Sequence, residues 1–193
     1  MASPRDLASW LLGWLGRRGH PVWVLDSLAA EARAIRPYGR VLDSGGGWGA
    51  LIRVAHWDRP DLSYTIADDD PRKLRLAPGF AETALAPPER LPFPDHSFHG
   101  VFLTRPLHAY RNPGEALLEA YRVTEPGGRI WLHDYHPHYQ GLLPAIVYHR
   151  LARREAGFYD QNAIQRLLKE LGLAFEVWFN NKDVRVTAYI KRL

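Results

Sequence analysis

The sequence contains no cysteine, one methionine and only four lysines among its 25 basic residues. Without cysteine the chain can form no disulfide, no thiol nucleophile and no cysteine metal site. It also lacks a membrane span, because its first apolar stretch, residues 7–16, is about half of the ~20 residues required. That stretch is flanked by Asp6 and by Arg17 and Arg18, which does not suit a cleaved leader. We therefore expect a cytoplasmic protein with no membrane span.

Charge of either sign is nearly balanced. The 193 residues carry a formal net charge of +4, with hydrophobic residues at 46% and charged residues at 24%. These fractions are typical of globular proteins and exclude a disordered chain or a coiled coil. At ~100–200 residues per domain, the length predicts one main domain with its own core. A net charge this small gives no reason to expect a nucleic-acid partner. We expect a monomer or a homodimer.

Strand and helix patterns alternate from residue 40 onward. Apolar runs predict strands at 40–43, 63–67, 80–85, 101–104 and 129–133, and helices at 48–57, 71–76 and 112–123 lie between them. Further helices are predicted over 142–155 and from Asp160 to Gly172. The last two strands, 174–179 and 184–191, are joined by a short turn and must be antiparallel. The order predicts an α/β fold with a Rossmann-like doubly wound sheet of seven strands, mostly parallel, with a C-terminal antiparallel hairpin and helices on both faces.

Residues 1–39 precede this pattern and have helical character. One helix is predicted to begin near Ser3, with apolar residues at helical spacing, and a second to run from about residue 21 to 35. We expect residues 1–39 to form a lid or a packing extension, and residues 40–193 to form the ligand-binding domain. In a doubly wound sheet, ligands bind at the carboxyl ends of the strands where the strand order reverses.

A glycine-rich loop follows the first strand of this domain. It reads Asp43-Ser44-Gly45-Gly46-Gly47-Trp48-Gly49, between a strand and a helix. Glycines let the backbone turn tightly and approach a ligand, and the following helix offers free N–H groups. Asp68 ends the next strand, where a carboxylate can accept both hydroxyls of a ribose. The loop and the acid together predict a nucleoside-containing ligand.

The glycine spacing alone leaves two cofactor classes open. Gly45, Gly47 and Ala50 also satisfy a dinucleotide fingerprint, so a nicotinamide-dependent oxidoreductase is one alternative. Asp43 at the start of the loop suits a cationic ligand better than a pyrophosphate. The predicted hairpin after the fifth strand also leaves no room for a separate substrate domain.

Several blocks in order give the sequence a family resemblance. It resembles class I S-adenosylmethionine-dependent methyltransferases, in particular the small type grouped with the ubiquinone and menaquinone methyltransferases. The similar blocks are Val41–Gly49, Ile66–Pro71, Leu91–Phe98, Leu107–His108, Asn112–Val123 and Pro126–Arg129. The resemblance implies S-adenosyl-L-methionine as cofactor and S-adenosyl-L-homocysteine as product. It also implies methyl transfer to a small-molecule acceptor by in-line displacement.

The resemblance carries over roles for individual positions. Asp43 and Thr104 would face the methionine end of the cofactor, Asp68 would bind the ribose hydroxyls, and Asp69 would lie beside the adenine. The expected cofactor-binding set is Asp43, Gly45, Gly47, Gly49, Asp68, Asp69, Glu89, Arg90, Leu91 and Thr104. Pro87 departs from the family, since many relatives have an acid there for the adenine amino group. Either Glu89 replaces that acid or the adenine is held less specifically. His99 also departs, and we expect it to cover a strand end.

The acceptor side has no obligatory residue, because the enzyme mainly positions the acceptor near the methyl group. A base is needed only if the acceptor loses a proton. The candidate bases are His133, His136 and His108, and His108 and Tyr110 are further candidates for lining the pocket. The cluster His133, Asp134, His136 and His138 is more consistent with a polar loop than with a metal site, so no metal is expected. The alternative to an active enzyme is a homologue that binds the cofactor without catalysis and acts as a scaffold or regulator.

Overall fold

The computed structural model describes residues 22–135, 161–179 and 183–189. Within them, one sheet has the strand order β3-β2-β1-β4-β5-β7-β6. Its strands are β1 Arg40–Ser44, β2 Ser63–Asp68, β3 Glu82–Leu85, β4 Phe98–Leu103, β5 Thr124–Tyr135, β6 Ala174–Phe179 and β7 Asp183–Tyr189. The helices are α1 Val22–Glu31, α2 Ala50–Asp58, α3 Pro71–Leu74, α4 Pro113–Val123 and α5 Gln161–Glu170, and Ala32–Ala34 and Leu107–Ala109 form 3-10 turns.

The strand pairing confirms a mostly parallel α/β sheet. β1 pairs in parallel with both β2 and β4, and β3 and β5 continue the parallel sheet on either side. β7 pairs antiparallel with β5 and with β6. The chain runs outward from β1 to β3 and then crosses back to β4. The strand order therefore reverses between β1 and β4, which places a ligand crevice at their carboxyl ends.

Element ends differ from the sequence predictions by a few residues. β5 begins at Thr124 rather than at Arg129, because Thr124 pairs with Phe98 ahead of an irregularity in which β5 runs from Thr124 to Arg129 while β4 runs only from Phe98 to Gly100. α2 begins at Ala50 rather than at Trp48, because Gly49 has a φ of +80°, outside the helical region. The helices predicted near Ser3 and over 142–155 lie outside the described residues.

Side-chain capping explains where two of the helices begin. Asn112 accepts a hydrogen bond from the N–H of Glu115, and Pro113 occupies the start of the helix. Asp70 accepts one from the N–H of Arg72 in the same way, ahead of Pro71. Each capping residue directly precedes its helix, so the local sequence sets where α3 and α4 begin.

The core lies on both faces of the sheet, because successive residues on a strand point to opposite sides. In β4, Val101 and Leu103 face one cluster and Phe102 faces the other. The first cluster is completed by α4 and α5, and the second by α1 and α2. Phe102 stacks on Trp131 of β5 with ring centroids 4.7 Å apart. This packing fixes the strands and hence the position of the residues at their carboxyl ends.

Candidate active site

The carboxyl ends of β1, β2 and β4 bring together the first group of predicted residues. The parallel register aligns Ser44 with Ala67 on one side and with Leu103 on the other. Asp43, Asp68 and Thr104 consequently meet at one edge of the sheet, with the glycine loop between them. We call Asp43, Gly45, Gly47, Asp68, Asp69 and Thr104 the carboxyl-edge site.

The glycine loop is held against β2 by its own backbone. The N–H of Gly45 donates to the carbonyl of Ala67 at 2.8 Å, and the N–H of Gly47 donates to Oδ2 of Asp68 at 3.0 Å. Gly45 and Gly47 have φ values of +76° and +59°, a region that L side chains rarely adopt. A side chain on Gly46 would fall on the carboxyl group of Asp43. Tight backbone geometry thus brings the loop directly onto both carboxylates.

Asp43 is a fully buried acid with one satisfied oxygen. The hydroxyl of Thr104 donates to Oδ1 at 2.7 Å. Oδ2 is buried and has no hydrogen-bond partner among the described residues. Burial raises the pKa of Asp43 to about 7, despite the Thr104 hydrogen bond, and the nearby Asp68 contributes. A buried acceptor oxygen that is not used by the described residues fits a cationic or water-bridged ligand.

Asp68 is also buried, but both of its oxygens are engaged. Oδ1 accepts from the N–H of Asp70 at 2.9 Å, and the ammonium of Lys73 lies 3.7 Å away. Oδ2 accepts from Gly47 and also from the guanidinium of Arg105 at 3.3 Å. These contacts fix the carboxylate beside the glycine loop. A rigid carboxylate at the end of β2 is the arrangement predicted for holding ribose hydroxyls.

Sequence reasoning missed Arg105, the residue that joins Asp68 to Asp69. Its Nη2 lies 2.7 Å from Oδ1 of Asp69, and this hydrogen bond holds the pKa of Asp69 below its ordinary value. Its Cζ stands 5.7 Å from the centre of the Tyr110 ring. The signal available was an arginine directly after Thr104, at a strand end facing a run of three aspartates.

Tyr110 forms the buried wall next to Arg105. It is almost inaccessible to solvent, and its hydroxyl has no hydrogen-bond partner among the described residues. That hydroxyl lies 3.7 Å from the position that a Cβ of Gly45 would take. Burial raises the pKa of Tyr110 above its ordinary value, so the hydroxyl stays neutral. Its predicted place near the site is consistent with this contact to the glycine loop.

The second group of predicted residues is engaged elsewhere. Oε1 of Glu89 accepts from the backbone N–H groups of Arg111 and Asn112 at 2.9 and 3.3 Å, at the entry to α4. Leu91 is buried in the core, and its N–H donates to Glu119. Arg90 and Pro87 are exposed. Pro87 itself supplies no acid. The nearby carboxylate of Glu89 could replace it, but that carboxylate already caps the entry to α4.

Gly49 has a packing role in this structure. A Cβ there would lie 3.0 Å from Cδ of Pro78 and would overlap the side chain of Ile66. The glycine thus lets α2 approach β2 closely, as the last glycine of such loops does. Gly49 therefore acts on the carboxyl-edge site only indirectly, by setting the position of α2.

The candidate bases are only partly described. His133 lies within β5 and is fully buried. The neighbouring Asp134 accepts a hydrogen bond from the N–H of Leu107 at 3.1 Å, which ties β5 to the turn after β4. His108 lies in that 3-10 turn, and His136 lies outside the described residues. His99 sits at the opposite end of the sheet, where its Nδ1 accepts from the N–H of Arg40 at 2.8 Å, which confirms that it covers a strand end.

In residues 22–135, 161–179 and 183–189, no group of three or more histidine or acidic residues could hold a metal ion. No helix within the same ranges is long and apolar enough to cross a membrane.

The fold and the site define a class of protein. A family model described as a methyltransferase domain matches residues 42–132, which run from β1 through β5. Solved structures with the same fold include the YcgJ protein of Bacillus subtilis, with a TM-score of 0.69 at 18% identity over 88% of this chain and 98% of that one. An S-adenosylmethionine-dependent methyltransferase from Aquifex aeolicus has a TM-score of 0.66 at 17% identity, over 86% and 89% of the two chains.

Curated relatives make the class more specific. The ubiquinone/menaquinone biosynthesis C-methyltransferase UbiE of Ralstonia pickettii is 27% identical over 189 residues, which cover 83% of this chain and 77% of the relative. The methyltransferase domain and the UbiE relatives indicate an S-adenosylmethionine-dependent methyltransferase, and the chain is similar to class I members of that group such as UbiE. Its cofactor is S-adenosyl-L-methionine. The buried Oδ2 of Asp43, which has no partner among the described residues, and the fixed carboxylate of Asp68 fit a ligand that carries an ammonium group and a ribose.

Proposed function

We propose that this methyltransferase acts on a small-molecule acceptor and holds its cofactor at the carboxyl-edge site. The observation that supports the site most directly is the contact of Gly47 with Asp68, which places a rigid carboxylate against the glycine loop at the switch point. The likeness to UbiE supports the small-molecule acceptor, because that relative is named for the biosynthesis of quinones. The first class of acceptor to test is therefore a small ring compound that is methylated on a carbon.

Individual residues have the following proposed roles. Asp68 accepts the ribose hydroxyls, Asp69 lies beside the adenine, and Asp43 with Thr104 faces the methionine portion. S-adenosylmethionine, when bound, supplies a methyl group made electrophilic by its sulfonium. Thr104 fixes Oδ1 of Asp43, which leaves Oδ2 available to the ligand. Glu89, Arg90 and Leu91 shape the adenine side through the backbone near α4.

The proposed acceptor side lies next to Tyr110 and the turn after β4. His133, His108 and His136 remain the proposed bases for an acceptor that must lose a proton. Because His133 is fully buried, it would act on an acceptor only by way of a buried water. A methyl acceptor that is already nucleophilic needs none of the three.

The acceptor is tested by the release of S-adenosylhomocysteine with a panel of candidate acceptors. The panel contains quinol-like rings, simple phenols and amines, with a protein extract and tRNA as the macromolecular arms. We expect turnover with a small ring-bearing molecule. Turnover only with a macromolecule would contradict the proposal, and so would cofactor binding without turnover in any arm.

The ribose role is tested by the substitution Asp68→Asn, with Asp70→Asn as the matched control. The charged acceptor in D68N is lost, so we expect weaker binding of S-adenosylhomocysteine by about 1.5–3 kcal/mol, or roughly ten- to a hundredfold. Asp70 caps α3 two residues away, and asparagine is an equally good cap, so D70N should bind like wild type. Calorimetric titration measures both, and unchanged affinity in D68N would show that Asp68 does not hold the ribose.

A further inference from the structure

The side chain of Arg105 crosses the ends of three adjacent strands. It starts after β4, and its Cβ and Nε lie 3.1 and 3.3 Å from the position that a Cβ of Gly45 would take, at the end of β1. Its Nη2 then reaches Asp68 and Asp69 at the end of β2, at 3.3 and 2.7 Å. The side chain is only 16% exposed. It therefore covers the glycine loop along the line of the proposed cofactor cleft.

The position of Arg105 matters for the ligand because the carboxylate of Asp68 can accept only a limited number of hydrogen bonds. A carboxylate oxygen has two lone pairs for acceptance. Oδ2 of Asp68 already accepts from the N–H of Gly47 and from Arg105, so both of its lone pairs are in use. Oδ1 accepts from Asp70 and has Lys73 at 3.7 Å. A ribose diol that binds through both oxygens must displace one of these donors, and the two backbone N–H groups are fixed by the loops that carry them.

We propose that Arg105 is a strap that competes with the cofactor for Oδ2 of Asp68 and thereby sets cofactor affinity. The inference rests on the proposed ribose role of Asp68. Arg105 is the donor that can leave, because it keeps its shorter bond to Asp69 and its contact with the Tyr110 ring. Its movement also uncovers Gly45. Cofactor binding therefore breaks one buried ion pair, and part of the binding free energy is spent on that rearrangement.

The test compares wild type with Arg105→Met and with Arg72→Met as the matched control. R105M keeps much of the side chain's length but cannot bridge the two carboxylates, so the ligand has no competitor at Oδ2. R72M removes an arginine that pairs with Asp70, is 81% exposed and does not reach Asp68 or Asp69. Titration with S-adenosylhomocysteine gives the affinities, and thermal unfolding gives melting temperatures with and without that ligand.

We expect R105M to bind S-adenosylhomocysteine about tenfold more tightly than wild type, the size expected for one charge-assisted hydrogen bond. Without ligand, R105M should melt at a lower temperature than wild type, because Asp68 has lost a counter-charge, while the ligand should raise its melting temperature by more. R72M should match wild type in affinity. A purely structural arginine would lower stability without tightening binding.

The contrary outcomes are distinct. Equal or weaker affinity in R105M would overturn the strap and would make Arg105 either neutral or a direct cofactor ligand. If R105M does not fold, Arg105→Gln provides the same comparison, since its amide cannot bridge both carboxylates. If D68N binds like wild type, the proposed ribose role fails whatever R105M does. If D68N loses binding and R105M gains none, the ribose role stands and only the strap is wrong.

Discussion

At the residue scale, His99 shows how a buried titratable group can serve the fold rather than the chemistry. Its Nδ1 accepts the N–H of Arg40 at the start of β1, and its Nε2 lies 3.4 Å from the carboxylate of Glu125. Because Nδ1 accepts, the neutral ring carries its proton on Nε2. Burial lowers the pKa of His99, although Glu125 opposes that change. The folded protein therefore favours the neutral form of the His99 imidazole.

This arrangement gives a pH dependence with a definite sign. The unfolded chain takes up a proton on His99 near pH 6.5, whereas the folded protein does so only at lower pH. The contribution to stability is complete above pH 6.5 and is lost as the pH falls from there to the lowered folded pKa. The loss is at most about 1.4 kcal/mol per pH unit. Urea unfolding at pH 7.5, 6.5 and 5.5 measures it.

Two variants separate this residue from other acid effects. His99→Asn retains an acceptor for the N–H of Arg40 and should lose less stability between pH 6.5 and 5.5 than wild type. Glu125→Gln removes the group that favours the charged ring and should lose more. Identical pH profiles for wild type and H99N would show that another group controls acid stability in this range.

At the scale of an element, the unit formed by β1, the glycine loop and α2 depends on close backbone approach. Gly46 has no left-handed φ, so its requirement is space: a Cβ would lie 2.9 Å from Oδ1 of Asp43 and nearer still to the rest of that carboxyl group. The carboxyl group is itself held by Thr104. The loop therefore has no room to relax without moving Asp43.

We expect Gly46→Ala to lower the free energy of unfolding by about 1–3 kcal/mol, the usual range for overpacking in a tight site. It should also weaken binding of S-adenosylhomocysteine, because the displaced Asp43 is part of the carboxyl-edge site. Gly79→Ala is the control, since no atom lies within 4 Å of its added methyl group. Chemical denaturation and titration measure both effects. Equal stability of the two variants would show that the loop yields more easily than its geometry indicates.

At the scale of the whole molecule, the sheet holds the site in place through cores on both faces. Phe102 is fully buried in β4, two residues before Thr104, and stacks on Trp131. Trp131 also donates from its indole to Glu31 of α1, at 3.1 Å. One face of the sheet thus links α1 to the strand whose end carries Thr104 and Arg105.

Removing that ring should destabilise the entire domain. We expect Phe102→Ala to lower the free energy of unfolding by about 3–5 kcal/mol, because it leaves a large cavity beside Trp131. Leu85→Ala, at a position that is 62% exposed on the edge strand β3, should change it by less than about 0.5 kcal/mol. Guanidinium unfolding compares the two. A small effect of Phe102→Ala would mean that the second hydrophobic cluster, the one completed by α1 and α2, closes around the cavity.

Much of the fold was predictable because its signals are local. The strand ends, the capped entry of α4 at Asn112 and the glycine loop depend on neighbours within a few residues. The predicted boundaries differ where a tertiary pairing extends an element, as Thr124 does for β5. The assignment of Glu89 to the adenine side rests on family resemblance and stays a prediction, whereas its hydrogen bonds to backbone groups 22 and 23 residues away could not be read from the sequence.

The sequence by itself predicted the class of protein and the meeting of Asp43 and Asp68 at one edge of the sheet. Asp43 and Asp68 each end a strand next to the glycine loop, and parallel strands bring such ends to one edge. Only the tertiary structure decided that Arg105, 37 residues from Asp68, occupies one of that carboxylate's lone pairs. Nor could the pairing of His99 with Arg40, 59 residues apart, be inferred from the chain. The physical reason is that side-chain partners at long sequence separation are selected by strand order and packing, which no local pattern encodes.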